Sequence, residues 1–166
     1  MELRHDSLLS RSVIIAPGRA DRPHAFVEPT LSEPDADCPF CPGREDCTPH
    51  ELLAFRSADS QPDRPGWRVR VVPNKYPALL GDIAPTSESF SGLGDAAIAA
   101  AWQQPAFGAH EVVIETPRHV ESLTELDQGE IAEVLTAYQQ RLLALQTDRR
   151  LQYAIVFKNV GRSAGA

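Results

Sequence analysis

A chain of 166 residues with 42% apolar content is long enough for one ordinary domain with a real core, and we expect a single domain. Its formal charge of −7 argues against a general nucleic-acid or membrane-surface binder, because both need a positive field. The longest apolar run, 96–102, is far short of a bilayer span, and the opening Met1-Glu2-Leu3-Arg4-His5-Asp6 is unlike a signal peptide, so the expected location is cytoplasmic. Small phosphorylated ligands stay open, because a few arginines in one cleft hold a phosphate whatever the net charge.

Ser12 to Ala16 is a short β-branched run stopped by Pro17-Gly18, which reads as a strand and a turn. Arg19 and Arg22 follow, three apart at a strand end; they could clamp an anion, but spacing alone favours a solvated polar loop. From Pro23 to Pro49 there is no hydrophobic period and loop should dominate. Within it stands Asp37-Cys38-Pro39-Phe40-Cys41-Pro42-Gly43. Two thiols three positions apart on a tight loop supply half of a tetrahedral zinc site. The competing redox reading needs a helix to start at the first thiol, which Pro42 and Gly43 disfavour. Two free thiols with no partner are the remaining alternative, and Cys47 is left over.

Glu51 to Arg56 reads as a brief element. Trp67 to Val72 alternates, with Trp67, Val69 and Val71 on one face and Arg68 and Arg70 on the other, as a half-buried strand does. It runs into Pro73-Asn74-Lys75-Tyr76-Pro77, where Asn74 and Lys75 sit either at a ligand's base or sugar edge or in a plain rigid turn. The stretch 80–107 is rich in Gly, Ser, Ala and Asp, with one or two helical turns expected over 95–102.

His110 to Glu115 alternates as a strand stopped by Thr116-Pro117. His110 and His119 flank it, and either suits a third metal ligand. Asp127 with Glu130 forms a capping box, after which Ile131, Val134, Leu135, Tyr138, Leu142 and Leu145 recur at helical spacing to about Thr147. Tyr153 to Phe157 reads as a last apolar strand. It leads into Lys158-Asn159-Val160-Gly161-Arg162-Ser163-Ala164-Gly165-Ala166, a small-residue stretch suited to a phosphate-cradling loop or to a frayed end. No Walker or dinucleotide glycine motif is present. Four strand-like runs and one long helix give an α+β class, an antiparallel sheet with a long packed helix.

The pieces LRHDSLLSRSVIIAPGRADRP, CPFCPG, TPHE, WRVRVVPNKYPAL, HEVVIETPRH and FKNVGRSAGA stand in one order across nearly the whole chain. Together they resemble the amino-terminal half of galactose-1-phosphate uridylyltransferases, in the histidine-triad superfamily. The resemblance implies a histidine-triad-like half-barrel, a possible homodimer, and transfer of UMP between UDP-glucose and a hexose 1-phosphate such as galactose 1-phosphate. It implies that Cys38, Cys41 and His119, the last in the Pro-x-His position, hold zinc. Arg19 and Arg22 would face the nucleotide phosphates, Asn74 and Lys75 the uridine, and Asn159, Gly165 and Ala166 the phosphate loop.

Family members carry a His-Pro-His stretch with the fourth zinc ligand and the uridylyl-accepting nucleophile, and residues 1–166 do not include it. The expectation is therefore an amino-terminal transferase domain that ends before that motif, with no catalytic residue to assign and negligible turnover on its own. Lys75, His50 and Cys47 also depart from the family pattern. An adenylyl-transferring or ADP-sugar-phosphorolysing relative is the alternative within enzymes, and a zinc-stapled binding module the alternative outside them.

Overall fold

The computed structural model describes residues 1–6, 8–9, 11–22, 38–82, 103–120 and 122–159. They fall into two compact units, one of Met1–Arg22 with Tyr76–His110, the other of Pro23–Lys75 with Glu111–Ala166.

The first unit holds a three-stranded antiparallel sheet in the order β2-β1-β5, formed by β1 (Glu2–Asp6), β2 (Arg11–Ile15) and, from later in the chain, β5 (Gln103–Pro105). β2 is the strand expected at Ser12–Ala16. The Asp6 carboxylate accepts from the backbone amides of Leu8 and Leu9, the local competition by a short acidic side chain that turns a chain back on itself. After β2, Pro17–Asp21 makes one 3-10 turn with proline at its start, where its fixed φ and missing N–H cost nothing.

The second unit is built on a sheet in the order β3-β4-β6: β3 (Leu53–Arg56), β4 (Trp67–Pro73) and β6 (Glu111–Ile114), all antiparallel. The helix α1 (Gln128–Leu145) lies on it. Its start is capped as expected: Asp127 accepts from the Glu130 amide at 2.8 Å, and Glu130 accepts from the Asp127 amide at 2.9 Å. Val134 and Ala137 of α1 pack with Val69, Val71 and Leu126 in the main core cluster, flanked by Ile131 and Tyr138. Among the described residues, polar clips hold the helix to β4, to β6 and to the residue after β6. Arg68 donates to Glu133, Arg141 to Glu111, and the Tyr138 hydroxyl to Glu115. Leu135, expected in the apolar stripe, is exposed instead.

β4 departs from simple alternation. The pairing of β3 with β4 slips between Phe55 and Arg56, so that Phe55 faces Val69 while Arg56 faces Trp67. That extra residue switches faces, as a bulge does. Trp67 accordingly packs with Val72 and Ile114 in a second cluster, not with Val69 and Val71. Arg70, expected on a solvent face, is 1% exposed. Its guanidinium is spent on protein partners: Nε donates to Glu51 at 3.1 Å, Nη1 to the Thr48 hydroxyl at 2.7 Å and Nη2 to Asp63 at 2.8 Å. A buried charge requires such partners.

The expected strand over Tyr153–Phe157 is corrected: 151–159 join no sheet among the described residues, and Tyr153 and Phe157 are 82% and 63% exposed. An apolar run becomes a strand only where an edge is paired with it. The helical turns expected over 95–102 lie outside the described residues. No helix among the described residues is long and apolar enough to cross a membrane.

Candidate metal centre and nucleotide site

The Cys38–Gly43 loop is a chain of tight turns. The Cys41 amide donates to the Cys38 carbonyl at 3.3 Å, the Arg44 amide to Cys41 at 3.2 Å, and the Cys47 amide to Arg44 at 2.9 Å. Gly43 turns the chain at φ +88°, a conformation side-chain-bearing residues rarely adopt. The opposing piece is the turn after β6. There Arg118 donates its amide to Thr116 Oγ1, and its guanidinium to the Glu125 carbonyl and the Glu130 carboxylate, which fixes the backbone one residue before His119.

These two pieces bring Cys38, Cys41 and His119 together, with ligand atoms all within 4.8 Å of one another. Cys41 Sγ and His119 Nδ1 are 3.5 Å apart. Zinc bond lengths of about 2.3 Å to sulfur and about 2.0 Å to nitrogen set neighbouring donors of a tetrahedron roughly 3.5–3.8 Å apart. Two soft thiolates and an imidazole at this spacing fit zinc. His119, not His110, is the histidine that meets the cysteines.

His110 belongs to the first unit and is engaged there. Its Nδ1 accepts from the Ala78 amide at 2.9 Å, which puts the ring proton of the neutral imidazole on Nε2. Burial, then the charges of Arg19 and Arg22, push its pKa below the usual histidine value. The two arginines expected to meet phosphate therefore stand near one neutral histidine. Arg19 is further held by donating to the Tyr76 carbonyl at 2.7 Å.

Asn74 and Lys75 follow directly from the end of β4 in the second unit, and Lys75 Nζ donates to the Cys47 carbonyl at 3.4 Å. Asn159 is exposed beside Lys158, which pairs with Glu115. Gly165 and Ala166 lie outside the described residues.

Two residues that sequence reasoning did not single out are buried, Glu45 beside the cysteine loop and Arg70 on β4. Glu45 is a buried carboxylate in a polar loop, and Arg70 looked like one of two solvated arginines. The only sequence signal for Glu45 is its place in Arg44-Glu45-Asp46, three adjacent charges of which one turns inward.

Comparison with known proteins assigns the chain to a family. The family model for the galactose-1-phosphate uridyl transferase N-terminal domain matches residues 1–166. An ADP-glucose phosphorylase of Arabidopsis thaliana is 38% identical over 170 residues, spanning 99% of this chain and 45% of that protein. A solved uridylyltransferase structure superposes with a TM-score of 0.62 at 27% identity, over 99% of this chain and 41% of the other. The crystal structure of an Arabidopsis thaliana ADP-glucose phosphorylase with bound ADP-glucose superposes with a TM-score of 0.58 at 35% identity, over 100% of this chain and 45% of that one. The chain thus spans under half the length of these relatives. With its full length matched, it belongs to the galactose-1-phosphate uridyl transferase N-terminal domain family, a family of nucleotidyl-transferring enzymes.

Proposed function

We propose that residues 1–166 act as the amino-terminal domain of a sugar-nucleotide nucleotidyltransferase, contributing a zinc-fixed scaffold and part of the substrate cleft. The observation that carries this reading is the match of the family across all 166 residues. The meeting of Cys38, Cys41 and His119 supports its metal part.

Zinc held by these three residues and a fourth donor would fix the backbone and not activate water, because a closed ligand set leaves no open position. The remaining contributions come from the chain's own residues. Arg19 and Arg22 supply positive charge for the phosphates of a sugar nucleotide, and Arg19 is oriented beforehand by its bond to Tyr76. Neutral His110 adds no competing charge beside them. In this reading Asn74 and Lys75, which follow the end of β4, meet the base or ribose, and Asn159, Gly165 and Ala166, carried over from the family resemblance, meet the phosphate. The small partners are a sugar nucleotide and either a hexose 1-phosphate or inorganic phosphate as acceptor. Homodimer formation stays part of this proposal, carried by family resemblance.

Two substrates fit. Phosphorolysis of ADP-glucose is favoured by the 38% identity to a phosphorylase of that name, against 27% to the uridylyltransferase. Uridylyl transfer from UDP-glucose to galactose 1-phosphate is the second reading, supported by the motif order. Calorimetric competition between ADP-glucose and UDP-glucose on the purified chain separates them. Preference for ADP-glucose supports the first, preference for UDP-glucose the second, and binding of neither contradicts the cleft.

A further inference from the structure

We propose that Glu45 is the positioning residue of the metal centre, a carboxylate bridge that sets the cysteine loop at the right place on the sheet to meet His119. This rests on the reading of Cys38, Cys41 and His119 as metal ligands. Glu45 is 6% exposed and touches none of them. Its two oxygens have separate tasks: Oε2 accepts from the Gly43 amide at 3.0 Å, and Oε1 accepts from the Trp67 indole N–H at 2.8 Å. One end of the bridge holds the turn two residues after Cys41. The other is fastened to the start of β4.

Sheet register explains why that anchor matters. β4 and β6 are paired with Arg70 opposite Ile114 and Val71 opposite Val113. The strands are antiparallel, so Trp67 at the start of β4 and the chain that leaves β6 after Ile114 to reach His119 are at the same end of the sheet. The bulge turns Trp67 onto the face away from α1, and there its N–H meets the Glu45 carboxylate, at the end of the sheet from which the chain leaves β6 toward the imidazole. The backbone of Glu45 is tied as well. Thr48 Oγ1 donates to its carbonyl at 2.9 Å while accepting from Arg70 at 2.7 Å.

A carboxylate is required in this place because both neighbours are donors. Glutamine fits the space but offers one acceptor, and its amide N–H₂ would confront an N–H on the other side. Groups behind metal ligands typically alter affinity by about 10- to 100-fold when removed.

The test measures zinc affinity of the whole 166-residue chain by competition with a chromophoric chelator, for wild type, Glu45→Gln, Glu45→Ala and Trp67→Phe, with circular dichroism as the folding control. The expected result is a loss of about tenfold or more in Glu45→Gln and Glu45→Ala alike. Trp67→Phe, which keeps the Gly43 bond and removes the anchor, should lose several-fold with an unchanged fold. Cobalt-substituted Glu45→Gln should show weakened tetrahedral ligand-field bands, a change that lost stability alone does not cause. Wild-type affinity in Glu45→Gln, or in folded Trp67→Phe should the Glu45 variants not fold, overturns the proposal while leaving the metal site standing. A wild-type chain that binds no zinc overturns both.

Discussion

Arg70 and Glu51 form an ion pair inside the second unit, with Arg70 Nε donating to Glu51 Oε2 at 3.1 Å and the arginine 1% exposed. Glu51 is shared with Arg56, and Arg70 also holds Asp63 and Thr48, so one buried cation gathers the polar segment 48–63 onto β4. Removing the cation takes one partner from each of two carboxylates, leaving Glu51 to Arg56 and Asp63 to His50 and the Glu51 amide, and leaves the Thr48 hydroxyl without its donor. Arg70→Ala should destabilise the chain by about 3 kcal/mol or more, and Arg70→Lys should rescue little, because a point ammonium cannot serve three directions in one plane. Urea denaturation followed by tryptophan fluorescence reads both; wild-type stability in either variant contradicts the network's role.

Asp63 gives this network a pH signature. Burial raises its pKa, but hydrogen bonds from His50, Arg70 and the Glu51 amide, with the charge of Arg70, outweigh that and lower it from 3.8 to about 2. The folded chain therefore binds this proton less readily than the unfolded chain. Its stabilising contribution is complete above pH of about 4 and is lost as the pH falls toward 2. The carboxylate is 29% exposed, so screening discounts the effect to about 1–2 kcal/mol. Stability measured against pH should show a steeper acid limb in wild type than in Asp63→Asn, and equal limbs would contradict this assignment.

His110 should be neutral at pH 7, protonated on Nε2, and should resist protonation below the ordinary pKa of 6.5. Because its folded pKa is depressed, its contribution to stability is present above pH 6.5 and declines as the pH drops below that value. Nitrogen-15 NMR of the imidazole reads the tautomer directly. A ring protonated on both nitrogens at pH 7 would contradict the bond from Ala78.

What was legible in the sequence is what depends on local order. The capping box at Asp127, the period of α1 and the alternation of 67–72 and 110–115 all report near-neighbour geometry, and each became the expected element. The CxxC loop was legible because its spacing alone sets two donors at one centre, and the motif order chose His119 over His110. What escaped depends on partners far along the chain. A single-residue bulge between Trp67 and Val69 moves Trp67 to the other face, while Arg70 is buried by Thr48, Glu51 and Asp63, and nothing in Trp67 to Val72 announces either. Glu45 looks like its charged neighbours until Trp67, twenty-two positions on, supplies a donor. Leu135 fits the helical period yet is exposed, while its neighbour Val134 is in the core, and the period alone does not separate the two.

Elemental analysis of the purified chain, beside Cys38→Ser, Cys41→Ser and His119→Ala, tests the central claim that these three residues hold one zinc. The account predicts about one zinc per wild-type chain, sharply reduced content in each variant, and a lower melting temperature after chelation, since a structural metal stabilises the fold that binds it. A wild-type chain without zinc, or full zinc content in all three variants, would contradict it.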